Sequence, residues 1–241
     1  MPKKTFFMIL LTLVVITLAI SAGCSRSNGP TQASQTQATP VTTPSIIITI
    51  PDENTIRLHF LSLKKAPLNE TETADIIYLQ EAEKVQRDIY LFFTQRYQTI
   101  PLFNQMAQAA NRSMSVDNVI LERYGIPNPE LQAPGTFNNK KLQGIYDKVT
   151  GEGSSPVNAL KASATSEDLH IADLNAALGR TDNEDLKFIY NQQLVLSRNN
   201  MRGIAQWIAA FEPSYTYSPT YITPNYYTSI ITSPMETITI T

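Results

Sequence analysis

Two acidic residues and one histidine are the side chains of this sequence best suited to chemistry. Glu167 and His170 stand three residues apart in the stretch SEDLHIADL, residues 166–174, which has helical periodicity. Side chains at that spacing share one face of a helix, which is how helical bundles hold iron or manganese. Glu83 lies on the apolar side of an earlier amphipathic stretch. These three residues are therefore the candidate ligands of a metal site.

The composition disfavours most other chemistries. The chain of 241 residues has one cysteine, Cys24, which excludes an intrachain disulfide and a cysteine-rich zinc site. The second histidine, His59, lies at the edge of a predicted linker, and no nucleophile elbow accompanies either histidine. No glycine-rich phosphate loop is present. A formal net charge of -2 gives no basic excess for binding nucleic acid.

The elements that must position these residues are four long helices. Apolar residues recur at three- and four-residue steps through each of them, and Pro101, Gly125, Pro156 and Gly179 mark their ends. The predicted helices span residues 72–97, 101–124, 156–178 and 183–211, with a short connecting helix in residues 138–153. Two helical hairpins joined by a longer connection predict an all-α four-helix bundle over residues 61–212.

The chain outside this bundle has a different composition. Residues 1–24 have a basic start, an apolar run and the small residues Ser21, Ala22 and Gly23, as in an export signal. Cys24 directly after them resembles a prokaryotic lipoprotein processing site, which implies lipidation of Cys24; an uncleaved anchor is the alternative. Both place the protein outside the cytoplasm, tethered to the membrane. Residues 25–60 are predicted as a flexible linker, and residues 213–241 as an extended or disordered tail.

Several motifs in one order resemble a known family. The stretches EAEKVQRDIYLFF, ILERYGI, LHIADLNAAL and TDNEDLKFIYNQQLVLSRNNMRGI, all within residues 61–211, resemble the ferritin-like "domain of unknown function" family of exported bacterial and archaeal proteins. The resemblance implies a ferritin-like four-helix bundle. Bundles of that kind generally hold two metal ions with inward Glu and Glu-x-x-His groups.

The family pattern is only partly kept in this sequence. Glu83 and Glu167 occupy acidic positions of the pattern, and His170 stands where the pattern has Asp. The Glu-x-x-His of the second helix is replaced by Ala110 and Ser113, and a histidine of the fourth helix is replaced by Asn200. Ala and Ser are not useful ligands for a divalent cation, so the resemblance implies a degenerate metal site.

The sequence leaves two functions open. The first is a non-catalytic binding or structural module, in which Glu83 is a buried acid bonded to Asn200, Ser113 or a tyrosine, and Glu167 and His170 face water. The second is a redox or storage protein that holds one iron or manganese ion through the reduced ligand set. No cofactor beyond that ion is predicted, and a homo-oligomer stays open. Asn69 and Asn111 begin N-glycosylation sequons.

Overall fold

The computed structural model describes residues 44, 52–237 and 240. Within these residues the chain is all-helical, with seven helices and no strand, which confirms the all-α prediction for this part. Cys24, the signal segment and most of the predicted linker lie outside the described residues. The helices are α1 (Glu53–Ser62), α2 (Glu70–Arg96), α3 (Pro101–Tyr124), α4 (Lys140–Glu152), α5 (Pro156–Leu178), α6 (Glu184–Phe211) and α7 (Pro224–Thr232).

The ends of the long helices follow local sequence signals. Asn69 and Glu72 form a capping box at the start of α2, where the Asn69 side chain accepts from the Glu72 amide and the Glu72 carboxylate accepts from the Asn69 amide, both at 2.9 Å. Gly125 ends α3 in the left-handed conformation, with φ of 68°. Ser155 caps α5 and Pro156 occupies its first turn. The predicted bounds of these helices therefore agree with the structure to within about two residues.

The four long helices surround a common interior. α2 packs along α3 and α5 along α6, while α2 also contacts α5 and α3 contacts α6. Side-chain contacts between α2 and α5 run in opposite directions along the two helices, from Tyr78 with Asp173 to Tyr90 with Glu167, so these helices are antiparallel. Buried residues from all four form one cluster, including Ile89, Phe93, Phe103, Met106, Leu160, Ile171, Leu186, Met201 and Ile204.

The predicted linker extends too far towards the C-terminus, because residues 53–60 belong to α1. Ile56 and Phe60 of this helix are buried in the core. The Arg123 guanidinium of α3 donates to the carbonyl oxygens of Phe60 and Leu63, at 3.0 and 2.6 Å. Two apolar anchors and two charge-assisted hydrogen bonds thus hold α1 on the domain.

The predicted extended or disordered tail contains a helix, α7, and is bound to α5 and α6. Asp168 of α5, which is fully buried, accepts hydrogen bonds from the backbone amides of Tyr221 and Ile222, at 3.0 and 2.8 Å. Arg202 of α6 donates to the carbonyl oxygen of Ile230 at 2.8 Å and to the carboxylate of Glu236 at 2.6 Å. These bonds replace the water that the peptide groups would otherwise keep, so the tail is part of the folded unit.

α2 is buried on more sides than its apolar stripe predicts. Lys84 and Asp88, which the periodicity places off that stripe, are buried and form an ion pair at 2.7 Å. The Lys84 ammonium also donates to the carbonyl oxygens of Ala133 and Thr136, both at 3.2 Å. The loop before α4 therefore covers this side of α2.

No helix of residues 52–237 is long and apolar enough to cross a bilayer.

A candidate buried polar site

α2 and α5 bring two of the three candidate ligands into contact. The Nε2 of His170 lies 3.0 Å from the Oε2 of Glu83, and both side chains are buried, at 2% and 6% exposure. The alternative in which Glu167 and His170 face water is therefore wrong, because both are buried. Burial lowers the pKa of His170, but the hydrogen bond and negative charge of Glu83 outweigh it, so the pKa lies above its ordinary value. Contact with Glu83 therefore favours the protonated form of the imidazole.

Glu167, the third candidate ligand, is held by hydrogen bonds of its own. Its Oε1 accepts from the hydroxyl of Tyr90 on α2 and from the amide Nδ2 of Asn200 on α6, the latter at 2.7 Å. Burial raises the pKa of Glu167, while the charge of His170 and the bonds from Tyr90 and Asn200 offset part of that rise. The tyrosine and Asn200 that the sequence offered as partners of Glu83 are therefore partners of Glu167.

A further acid, Asp117 on α3, belongs to the same interior and was not among the predicted residues. It is buried and accepts a hydrogen bond from the Nε2 of Gln193 on α6, at 2.8 Å. Burial raises its pKa well above the ordinary value, and the charge of Glu83 adds to that rise. The signal was present in the sequence, because Asp117 follows Ser113 by four residues and so shares its helix face.

A small cavity lies beside Asp117, between α1, α3 and α6. Its volume is about 20 Å³, and Ile56, Ser113, Asp117, Ile189 and Gln193 contribute to its wall. A cavity of that size holds roughly one water molecule. Asp117 and its partner Gln193 therefore border a space that Ile56 of α1 also lines.

Four polar atoms of this interior have no hydrogen-bond partner in the described part of the chain. They are the Oε2 of Glu167, the Nδ1 of His170, the Oε1 of Gln193 and the Oδ1 of Asn200. A buried polar atom without a partner costs about 1–3 kcal/mol. The interior therefore keeps unused hydrogen-bonding capacity contributed by both α5 and α6.

The site does not fit a two-metal centre. Ala110 and Ser113 are buried on α3 at the positions where the resemblance led us to expect ligands, and Asn200 serves as a hydrogen-bond donor. Over residues 52–237, no three His, Cys, Asp or Glu side chains are arranged to hold a metal ion. Glu83 and Glu167 each have one oxygen engaged by a neighbouring side chain. No chemistry of a di-iron kind follows from this arrangement.

Comparisons with known proteins identify the family of the chain and a similar solved structure. Residues 72–234 match the family model described as an uncharacterized protein domain, DUF2202, so the chain belongs to that family. It is similar to the uncharacterized protein MJ0754 of Methanocaldococcus jannaschii, with 38% identity over 177 residues, which cover 73% of this chain and 94% of the relative. The crystal structure of hypothetical protein MJ0754 matches with a TM-score of 0.69 at 37% identity, over 73% of this chain and 99% of that one.

Proposed function

We propose that this protein is an extracytoplasmic, membrane-tethered ferritin-like four-helix bundle whose degenerate metal site serves as a non-catalytic binding and structural module. The two hairpins α2–α3 and α5–α6, packed with α2 against α5 and α3 against α6, support the bundle. The export-type residues 1–24 and the lone Cys24 after Ser-Ala-Gly support the tether.

One observation carries the non-catalytic assignment. The side chains that would bind metal instead bind one another and their neighbours: Glu83 pairs with His170, and Glu167 is held by Tyr90 and Asn200. A cation would have to displace these hydrogen bonds before it gained its own ligands, which lowers its affinity. The cluster joins α2, α5 and α6 through directional bonds, a role that fixes how helices align.

The binding role of the module would use its unpaired polar atoms. Glu167, His170 and Asn200 each keep one buried atom without a protein partner. Gln193, whose Oε1 also has no partner within residues 52–237, lines the cavity of about 20 Å³ beside Asp117. That cavity has room for a molecule of about the size of water and not for a large organic substrate.

Metal analysis of the purified full-length chain tests the proposal. The protein is loaded with Fe²⁺ or Mn²⁺ under mild conditions, passed through a desalting column and analysed by mass spectrometry of its elements. We expect less than one ion per chain. One or more tightly held ions per chain would refute the non-catalytic assignment.

The second candidate is a metal-dependent redox or storage protein that holds one iron or manganese ion through Glu83, Glu167 and His170. The position of Asp117 favours it, since this acid lies near enough to Glu83 for its pKa to be raised by that charge. Three carboxylates and one imidazole are ligand types that either ion accepts, but these side chains would have to rearrange, because no three of them in residues 52–237 are arranged to hold an ion. In this case Glu83→Ala and His170→Ala would each remove a stoichiometric ion.

The two candidates differ in how the variants respond. The exposed Glu184→Ala serves as the matched control, because it removes a carboxylate from the surface of α6. Loss of bound metal in both site variants but not in the control supports the second candidate. Unchanged metal content in both site variants excludes it.

A further inference from the structure

The two N-glycosylation sequons of this chain lie in opposite environments. Asn69 precedes the first turn of α2, with Thr71 as the hydroxyl residue of its sequon. Asn111 lies in the middle of α3, with Ser113 as its hydroxyl residue. Asn69 and Thr71 are both exposed, whereas Ser113 is buried at 7% exposure. The structure therefore separates an accessible sequon from an obstructed one.

Asn69 can carry a glycan without losing its structural role. Its Oδ1 accepts the capping hydrogen bond from the backbone amide of Glu72 at 2.9 Å. Its Nδ2, the atom to which an N-linked glycan is attached, donates no hydrogen bond to any residue in the described part of the chain. Capping of α2 and attachment of a sugar thus use different atoms of one side chain.

The surface around Asn69 has room for a sugar. Asn69, Glu70, Thr71 and Arg180 line an open hollow of about 510 Å³. Within the first turn of α2, Glu72 is buried and accepts hydrogen bonds from Thr181 and Asn183, whereas the side chains of Asn69 and Thr71 are exposed. A transferase can therefore reach this sequon in the folded protein.

Asn111 lacks these properties. The α3 helix spans Pro101–Tyr124, so this sequon is enclosed by helical turns on both sides. The side chain of Ser113 faces the cavity beside Asp117. Exposure of its hydroxyl would require local unfolding of the centre of α3, which packs in the core and opens only at a high free-energy cost.

We propose that Asn69 is an N-glycosylation site of the exported protein and that Asn111 is not modified. In the reaction, the Nδ2 of Asn69 attacks the anomeric carbon of a polyprenyl-pyrophosphate-linked glycan. The bond between that carbon and the pyrophosphate oxygen breaks, a C–N bond forms, Nδ2 loses one proton, and the polyprenyl pyrophosphate leaves. The inference rests on the proposed extracytoplasmic location, because membrane oligosaccharyltransferases act on that side.

The test is a reaction with purified components, so that export does not enter it. The folded full-length chain in detergent is incubated with an oligosaccharyltransferase that recognises Asn-x-Ser/Thr and with its lipid-linked glycan. Thr71→Ala is the informative variant, because it removes the sequon and keeps the Asn69 cap. Pro30→Thr completes a sequon at Asn28, in the segment predicted from the sequence as a flexible linker, and serves as the control. Intact mass and glycopeptide mapping give the occupied sites.

We expect one glycan on the wild-type chain at Asn69, none on Thr71→Ala, and two on Pro30→Thr. Modification of Asn28 alone in Pro30→Thr would overturn the proposal, as would modification of Asn111 in the folded chain. The location is measured separately by cell fractionation. A chain found in the cytoplasmic fraction refutes the proposed tether, whereas an unmodified Asn69 beside a modified Asn28 refutes only the glycosylation site.

Discussion

The difference in the free energy of unfolding between Asp117→Asn and the wild type is expected to shift in favour of the variant as the pH rises from mildly acidic to neutral. Asp117 is buried, and both burial and the charge of Glu83 raise its pKa well above the ordinary value. The folded state therefore keeps a proton on this carboxyl at pH values where the unfolded chain has released it. Between those two pKa values the wild type loses stability as the pH rises.

The sign and the upper limit of this pH effect on the free energy of unfolding follow from proton linkage. When the native state binds one proton more than the unfolded state, the free energy of unfolding falls by about 1.4 kcal/mol for each pH unit. From pH 5 to pH 7 the contribution of Asp117 can change by at most about 2.7 kcal/mol. Asn has the same shape and no titration, and its side-chain oxygen can accept the bond that Gln193 donates at 2.8 Å.

The assay is urea unfolding of the wild type and Asp117→Asn at pH 5, 6 and 7, followed by far-UV circular dichroism. The difference between the two proteins should grow in favour of the variant as the pH rises. Asp182→Asn is the control, because this exposed carboxylate is paired with Lys187, which lowers its pKa below the tested range. Its difference from the wild type should not depend on pH between 5 and 7.

Two results would refute this reasoning. A difference between wild type and Asp117→Asn that is constant from pH 5 to pH 7 would mean that Asp117 titrates alike in the folded and unfolded chains. A variant that becomes relatively less stable as the pH rises would mean that Asp117 is a paired carboxylate in the folded state. Either outcome would refute the raised pKa assigned to Asp117.

Three further predictions concern the tail, α1 and Glu167. Asp168→Asn should lower the free energy that holds the tail on the domain by roughly 2–4 kcal/mol, because it replaces a charged acceptor of several buried hydrogen bonds. Faster hydrogen exchange of the amides before α7 would confirm this, and unchanged exchange would contradict it. Phe60→Ala should lower the free energy of unfolding by about 3–5 kcal/mol. The control Leu58→Ala, at a site 61% exposed, should have little effect. Equal effects of the two substitutions would show that α1 is not part of the core. Asn200→Ala should raise the pKa of Glu167 further, because it removes a hydrogen bond to the Glu167 carboxylate. Infrared titration of the carboxyl band measures this pKa, and a lower value in the variant would show that Asn200 does not stabilise the carboxylate.

The long helices could be predicted because each carries its own signals. Four long stretches combine a 3.6-residue apolar period with caps such as Asn69 and Ser155 or a terminating Gly125. α1 and α7 could not, since they have only 10 and 9 residues. Helices that short gain their stability from tertiary packing rather than from local propensity, and such packing is not visible in the sequence.

The candidate site was predictable in its members but not in its pairing. Periodicity places Glu83 and Glu167 on inward faces, and both are buried. It does not give the axial register between α2 and α5, which decides that Glu83 meets His170 and that Tyr90 meets Glu167. The burial of Lys84 could not be predicted for a related reason, because the loop that covers it comes from a distant part of the chain.

The physical distinction between a structural cluster and a metal site lies in how the buried charges are balanced. In the structure Glu83 is balanced by His170, while the raised pKa values of Asp117 and Glu167 favour their neutral forms. Ion pairing and protonation both lower the cost of burying such a cluster without a cation. A divalent ion would favour the ionised forms of these acids and so oppose the burial that raises their pKa values. Metal binding and the pH dependence of stability are therefore linked through Asp117, so one series of measurements bears on both candidate functions.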